Sequence, residues 1–230
     1  MSSELLKYVG SQIKMFRKIK KLTIDDLAKM IGKSKSTVSK YESGEIAIDI
    51  ATLYDIASAL NTSMVILTDY QENKKIDIEQ SRIWQADQLY MYHQSGEITY
   101  SSFMRLRKDE ANNKTIATLY YKVDNLDDFQ DCDCIYQGYM SHHENILNFN
   151  LQNCMYNSES VLINFFVPIR KTVTISGLIS GLEDITLRPS SHKVVLSKTP
   201  LSDDEQKELL KLSKDVIKRL RDEHVFRVDD

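Results

Sequence analysis

Leu22-Thr-Ile-Asp-Asp-Leu-Ala-Lys-Met-Ile-Gly-Lys-Ser-Lys-Ser-Thr-Val-Ser-Lys-Tyr-Glu-Ser-Gly44 sets the reading of the whole chain. Leu27, Ala28 and Ile31 mark one apolar helical stripe and Val38 with Tyr41 a second, and Gly32 breaks the chain between them so that the stripes can close on each other. The remaining faces are polar and basic. Thr23 is placed to N-cap the first helix, with Asp26 reaching back as the acidic partner of a capping box, and Ser34 is placed to N-cap the second. Residues 22–44 therefore predict two short helices joined by a tight turn, the second carrying exposed Lys and Ser.

Charge separates this region from the rest. Lys7 through Lys40 holds ten Lys and Arg against Asp25 and Asp26, ten minus two giving plus eight, in a chain whose net charge is −3. Beyond residue 70, twenty basic residues meet twenty-five acidic ones. Such asymmetry is the electrostatic footprint of a DNA-binding face on the N-terminal part and argues against one on the remainder.

With these residues in view, the stretch from about Val9 to Leu67 resembles the Cro/CI phage-repressor, or XRE-type, family of DNA-binding domains. The resemblance implies a five-helix, lambda-repressor-like helix-turn-helix domain. Its first helix falls around Leu5 to Lys20, and its closing helices at Asp49 to Leu60 and roughly Ser63 to Leu67. Val9, Ile13, Phe16, Ile19, Leu22, Leu27, Ile31, Val38, Leu53, Ile56 and Leu60 recur at helical spacing and are its expected core. By the same resemblance, Arg17 and Glu42 form a semi-buried structural ion pair between the first helix and the recognition helix. Lys35, Ser36 and Lys40 fall where side chains reach base edges in the major groove, with Ser39 beside them. Thr23 and Ser43 match phosphate-contacting positions ascribed to helix starts, where free N–H groups and the macrodipole favour an anion, and Lys33, like Lys14 and Lys29, adds charge. The chain departs from the family pattern at Ile24, where a Gln commonly contacts the backbone, and at Ile48, where a Pro commonly precedes the fourth helix. The second departure leaves Asp49 as the N-cap.

Residues 71–81, rich in Gln, Glu, Asn and Lys, read as a linker between a domain at 1–70 and a second at 82–230. Residues 82–93 fit helix or strand equally. From Tyr100 the apolar period changes to two, and seven stretches read as strands: Ser102–Arg107, Thr115–Val123, Cys134–Ser141, Asn145–Leu151, Val161–Pro168, Val173–Leu178 and Lys193–Lys198. They imply an antiparallel β-sandwich or β-barrel. Leu147, Phe149 and Leu151 share one side, as do Val161, Ile163, Phe165 and Val167. Tyr100, Tyr120, Tyr121, Tyr136 and Tyr139 suit either a strand or the lining of a ligand cavity. Ser202 and Glu205 make another capping box, opening a terminal helix to about Arg221 striped by Leu209, Leu212, Val216 and Leu220.

Other chemistries find little support. Three cysteines do not make a disulfide scaffold, and Cys132-x-Cys134, His142-His143 and Cys154 have poor zinc spacing, so neither metal nor cofactor is expected. A self-cleaving repressor with a protease-like second domain is the rival architecture. No Ala-Gly or Cys-Gly cleavage dipeptide occurs, nor a His-Glu-x-x-His helix, a Walker loop or a Gly-x-Gly-x-x-Gly turn. With no apolar run near ~20 residues and no signal peptide, a cytoplasmic chain without a membrane role is expected. The sequence thus predicts a non-enzymatic, homodimeric transcriptional regulator of double-stranded operator DNA, acting as a repressor. The β-rich half would serve dimerisation and a small-molecule or peptide effector, or act as a scaffold without effector.

Overall fold

Five helices build the N-terminal unit, or head: α1 (Ser2–Ile19), α2 (Ile24–Met30), α3 (Lys35–Glu42), α4 (Ile50–Ala59) and α5 (Met64–Leu67). The computed structural model describes residues 2–68, 70, 82–109, 114–156, 158–183 and 187–228, and the chain divides into units Met1–Lys75 and Ile76–Asp230. The expected linker at 71–81 lies outside the described residues.

Each start from α2 to α5 is written locally: the side chains of Thr23, Ser34, Asp49 and Ser63 accept the backbone N–H three residues on. Ile13, Phe16, Leu27, Val38, Ile56 and Leu60 are fully buried. Ile19 and Leu22 are only half-buried, because they sit at the end of α1 and in the turn after it, where the core ends. Gly10 permits the closest packing: a Cβ there would stand 2.3 Å from the Tyr41 carbonyl oxygen and 2.7 Å from that of Glu42. The backbone of α1 therefore rests directly on the end of α3.

The second unit is a closed antiparallel barrel of eight strands in sequential order. They are β1 (Gln88–Ser95), β2 (Ile98–Asp109), β3 (Lys114–Val123), β4 (Cys132–His143), β5 (Ile146–Asn153), β6 (Ser160–Phe166), β7 (Thr174–Leu182) and β8 (Pro189–Ser197). Closure comes from β1 pairing β8, with Tyr90 opposite Ser197. Eight strands enclose an interior just wide enough for side chains, and Leu89, Met91, Leu119, Phe149, Ile163 and Leu196 fill it. The faces expected for Leu147, Phe149 and Leu151 and for Val161, Ile163, Phe165 and Val167 are the inward ones.

Two sequence expectations change. There are eight strands among the described residues, not seven, because part of the undecided stretch 82–93 starts β1. Its alternation is blurred because both faces are covered: Leu89 and Met91 point into the barrel, while Tyr92 packs outside with Val195 and Leu210. The single terminal helix is two, α6 (Asp203–Leu210) and α7 (Lys214–Glu223). Ser202 and Glu205 do form the capping box of α6, but Lys211 is extended and Ser213 caps α7 by accepting from Val216 N–H. A Ser that bonds its own backbone competes with helix continuation, so the stripe from Leu209 to Leu220 is split between two helices.

The barrel ends differ. At the end holding the start of β1, a single turn at Ile83–Gln85 inserts Ile83, 2% exposed, with Trp84 and Ala86 against the core. Trp84 stacks on inward-facing His142 at 3.8 Å, and Arg82 donates to the Ile169 carbonyl at 2.5 Å. The opposite end is open to a small polar pocket.

Candidate nucleic-acid interface

The capped, short α3 carries two unlike faces. Val38 (0% exposed) and Tyr41 (6%) face the head core, while Lys35, Ser36, Ser39 and Lys40 form an exposed stripe. Among the described residues neither Lys35 nor Lys40 has an ion-pair partner. The first turn contains no acidic residue. Ser34 holds Thr37 N–H at 3.1 Å and lies 2.9 Å from the Ser36 hydroxyl. The backbone N–H groups of Lys35 and Ser36 precede the first intrahelical bond and point out of the helix start, where an anion is favoured. Sequence reasoning assigned these two residues by their side chains alone; the N-cap at Ser34 was the signal that their amides matter too.

Arg17 and Glu42 hold α3 in place. Arg17 Nε donates to Glu42 Oε1 at 2.6 Å and Nη2 to Oε2 at 2.8 Å, and Nη1 donates to the Leu22 carbonyl at 2.8 Å. With both residues 8% exposed, the fork fixes α3 against α1 and against the turn entering α2. The hydrogen bonds that Arg17 donates to Glu42 raise its pKa, burial acting against them.

The phosphate candidates stand differently from one another. Thr23 caps α2, but its N–H and hydroxyl both donate to Asp26 Oδ2, at 2.9 and 2.6 Å, and Asp25 adds a second acid in that first turn. Ser43 is no helix start: it is the C-cap of α3, the carbonyl end, and its hydroxyl donates to Glu45 Oε1 at 2.8 Å. The dipole argument therefore leaves Ser43 and belongs to the start of α3. Lys33 is exposed and close enough to Asp49 to help lower that carboxyl's pKa, after the hydrogen bonds from Thr52. Lys29 pairs with Asp25 at 2.8 Å.

In the barrel, the candidate cavity residues separate. Tyr121 and Tyr136 join His93, His192, Lys122 and Glu183 around a pocket of about 50 Å³ at the open end, large enough for a few atoms. Tyr121 hydroxyl and His93 Nε2 share a hydrogen bond at 3.0 Å. Tyr120 instead packs outside with Phe103 and Phe129, and Tyr139 faces outward under the Lys114 ammonium at 4.7 Å. Burial pushes the Cys132 thiol up and that of Cys154 up to about 12, which makes both poor nucleophiles. Among the described residues no group of three or more His, Cys, Asp or Glu is gathered for a metal ion, and no helix is long and apolar enough to cross a membrane.

The helix-turn-helix family model HTH_3 matches residues 13–67. The chain is 28% identical over 153 residues to Antitoxin PezA of Streptococcus pneumoniae serotype 4 (strain ATCC BAA-334 / TIGR4), a likeness covering 60% of this chain and 94% of that protein. It therefore runs longer than the head alone. Among solved structures, the chain is similar to the restriction-modification controller protein C.AhdI from Aeromonas hydrophila (26% identity, 28% of this chain and 96% of that one, TM-score 0.27). It is also similar to the clp gene regulator ClgR from C. glutamicum (25% identity, 27% and 82%, TM-score 0.27). TM-scores this low leave the assignment to the family match. The N-terminal unit is a helix-turn-helix domain of the HTH_3, XRE type.

Proposed function

We propose that the protein is a repressor that binds operator DNA as a homodimer, each head laying α3 in the major groove with Lys35, Ser36 and Lys40 against base edges. The observation that carries this reading is the exposed, acid-free start of α3, locked in place by the Arg17–Glu42 fork. One recognition helix covers only a few base pairs, so useful specificity needs two heads on half-sites about one turn of DNA apart. The α3 amides and Lys33 supply the phosphate contacts, with Thr23 and Ser43 in lesser roles because their hydroxyls are engaged within the head. Repression follows from occlusion of polymerase by the bound dimer. The barrel is a non-catalytic regulatory module that couples the heads, and its open polar end is where a small effector would enter.

Titration of fragments around the protein's own gene at several salt concentrations tests this. Binding should weaken steeply with salt as counterions are displaced. Lys35→Ala or Lys40→Ala should relax base preference in selection from a random duplex library, at about 1–3 kcal/mol for the contacted base. Absence of binding at low salt, or unchanged preference in both variants, would defeat the reading.

A further inference from the structure

The outer wall of the barrel is covered on one half and bare on the other. On β1 and β8, Tyr92 and Val195 lie beneath Leu210 of α6, and on β2 and β3, Phe103 and Tyr120 pack with Phe129. Cover extends to Ile135 early on β4, opposite Tyr120 and fully buried, whereas Tyr139 further along β4 and Ile146, Leu162 and Phe166 on β5 and β6 are exposed.

On the strands, no outward position from Gln137 on β4 through Leu182 on β7 is Asp, Glu, Lys or Arg, in a chain that is 27% charged; Asp133 at the start of β4 and Glu144, Arg170 and Lys171 in the connections border this area. Its centre is Ile146, Asn148 and Asn150 on β5 paired with Phe166, Asn164 and Leu162 on β6. Phe166 is 53% exposed, Leu162 45% and Ile146 44%. Charges resume at the margins, with Lys114 on β3 and Lys193 on β8. Exposed apolar patches of a few hundred square ångströms on soluble proteins are often functional. An aromatic and aliphatic centre, without charge and with a charged rim, is the composition of an interface.

We propose that this face, β4 to β7, is where a second copy of the chain docks, barrel against barrel; the inference rests on the homodimeric reading above and assigns its surface. A two-fold axis sets a surface against itself, which a centre without charge on β5 and β6 allows without opposing like charges, and the Asn amides both donate and accept. Four strands ~4.8 Å apart and about seven residues long at ~3.4 Å each give a face of roughly 450 Å². Doubled, that is about 900 Å², below the ~1,200 Å² of a standard interface. The dimer is accordingly weak in free solution. It forms when two heads on adjacent half-sites raise the barrels' effective concentration toward ~1 mM.

The test combines sedimentation of the full chain with titration of DNA carrying one or two half-sites. The wild type should dimerise reversibly and in a concentration-dependent way, and gain about tenfold or more in affinity from the second half-site. Leu162→Lys and Phe166→Lys should remove both effects and leave binding to one half-site unchanged. Ile98→Lys, at a residue 57% exposed on β2 outside this face, should alter neither. A wild type that stays monomeric and gains nothing from a second half-site would overturn the proposal. So would a dimer that survives both face substitutions but dissociates with Leu220→Lys, a result that places the contact at the apolar groove by α7. Failure of the wild type to bind even one half-site would refute the DNA reading, and sedimentation would still decide the face.

Discussion

The head fixes its recognition helix through a few irreplaceable contacts, the Arg17–Glu42 fork and the Gly10 backbone approach. The barrel spreads its stability over an interior of interchangeable Leu, Met, Ile and Phe side chains and a continuous ring of strand pairs. Position is costly to specify in the first and redundantly specified in the second. A DNA reader needs α3 oriented sharply, and a regulatory shell needs only to persist, so the two units should respond very differently to single changes.

The largest contrast is expected for Glu42→Ala. It leaves Arg17 with a buried guanidinium and no carboxylate, at a cost of about 3–5 kcal/mol, while a unit of roughly 70 residues has only ~4–10 kcal/mol in total. Calorimetry of the full chain should show the head transition lost or shifted far down and the barrel transition unmoved. The double change Arg17→Met with Glu42→Leu should do less harm than the single one, because no lone charge remains. A single merged transition that moves as a whole would break the comparison. A Glu42→Ala head that melts normally yet fails to bind DNA would turn the residue from a structural into a recognition role.

A smaller effect of opposite sign is expected from Gln12→Met. Gln12 on α1 is fully buried, and neither its amide nitrogen nor its amide oxygen has a hydrogen-bond partner among the described residues. An unmet buried amide costs about 1–3 kcal/mol, so the near-isosteric thioether should raise the head's melting temperature and leave the barrel's unchanged. A fall instead would show that the amide is satisfied in solution, and that the head's core is more polar than its side-chain contacts suggest.

The same contrast explains what the sequence disclosed. The caps at Thr23, Ser34, Asp49 and Ser202 were legible because each is settled within four residues. The Ser213 cap obeys the same local rule, and the Ser followed by Asp215 was there to be read inside the Leu stripe. The Arg17–Glu42 geometry agrees with what the family resemblance implied. Gly10 was not legible, because its need arises from the carbonyls of Tyr41 and Glu42 on another helix. The choice between sandwich and barrel was likewise undecided, since closure depends on Tyr90 meeting Ser197, more than a hundred residues away. For the interface, side-chain types on α3 were readable, and so was the Thr23–Asp26 capping box that engages the Thr23 hydroxyl, whereas the bond from Ser43 to Glu45 depends on rotamers that no pattern encodes.

Acid sharpens the comparison with the smallest effect. Hydrogen bonds from Thr23 hold the Asp26 carboxyl below its ordinary pKa, and those from Thr52 do the same for Asp49; both are caps of the head. In the barrel unit the equivalent group is Glu205, lowered by Ser202 at the start of the appended α6. For each, the folded pKa lies below the unfolded one, so the stabilisation is present above the unfolded value, near 4, and is lost as pH falls through the folded value. Asp49 and Glu205 are exposed and Asp26 is half-buried at the surface, so each contribution is slight. Two such carboxylates lie at the starts of helices that form the body of the head, whereas Glu205 lies on a helix outside the strands of the barrel. As pH drops below about 4, the head's helical signal should therefore fade before the strand signal. Far-ultraviolet circular dichroism along an acid titration checks the order. Asp49→Asn should flatten the head's acid dependence while leaving a side-chain cap in place. Strands lost first, or both units lost together, would mean that the barrel depends on carboxylates more than its apolar interior implies.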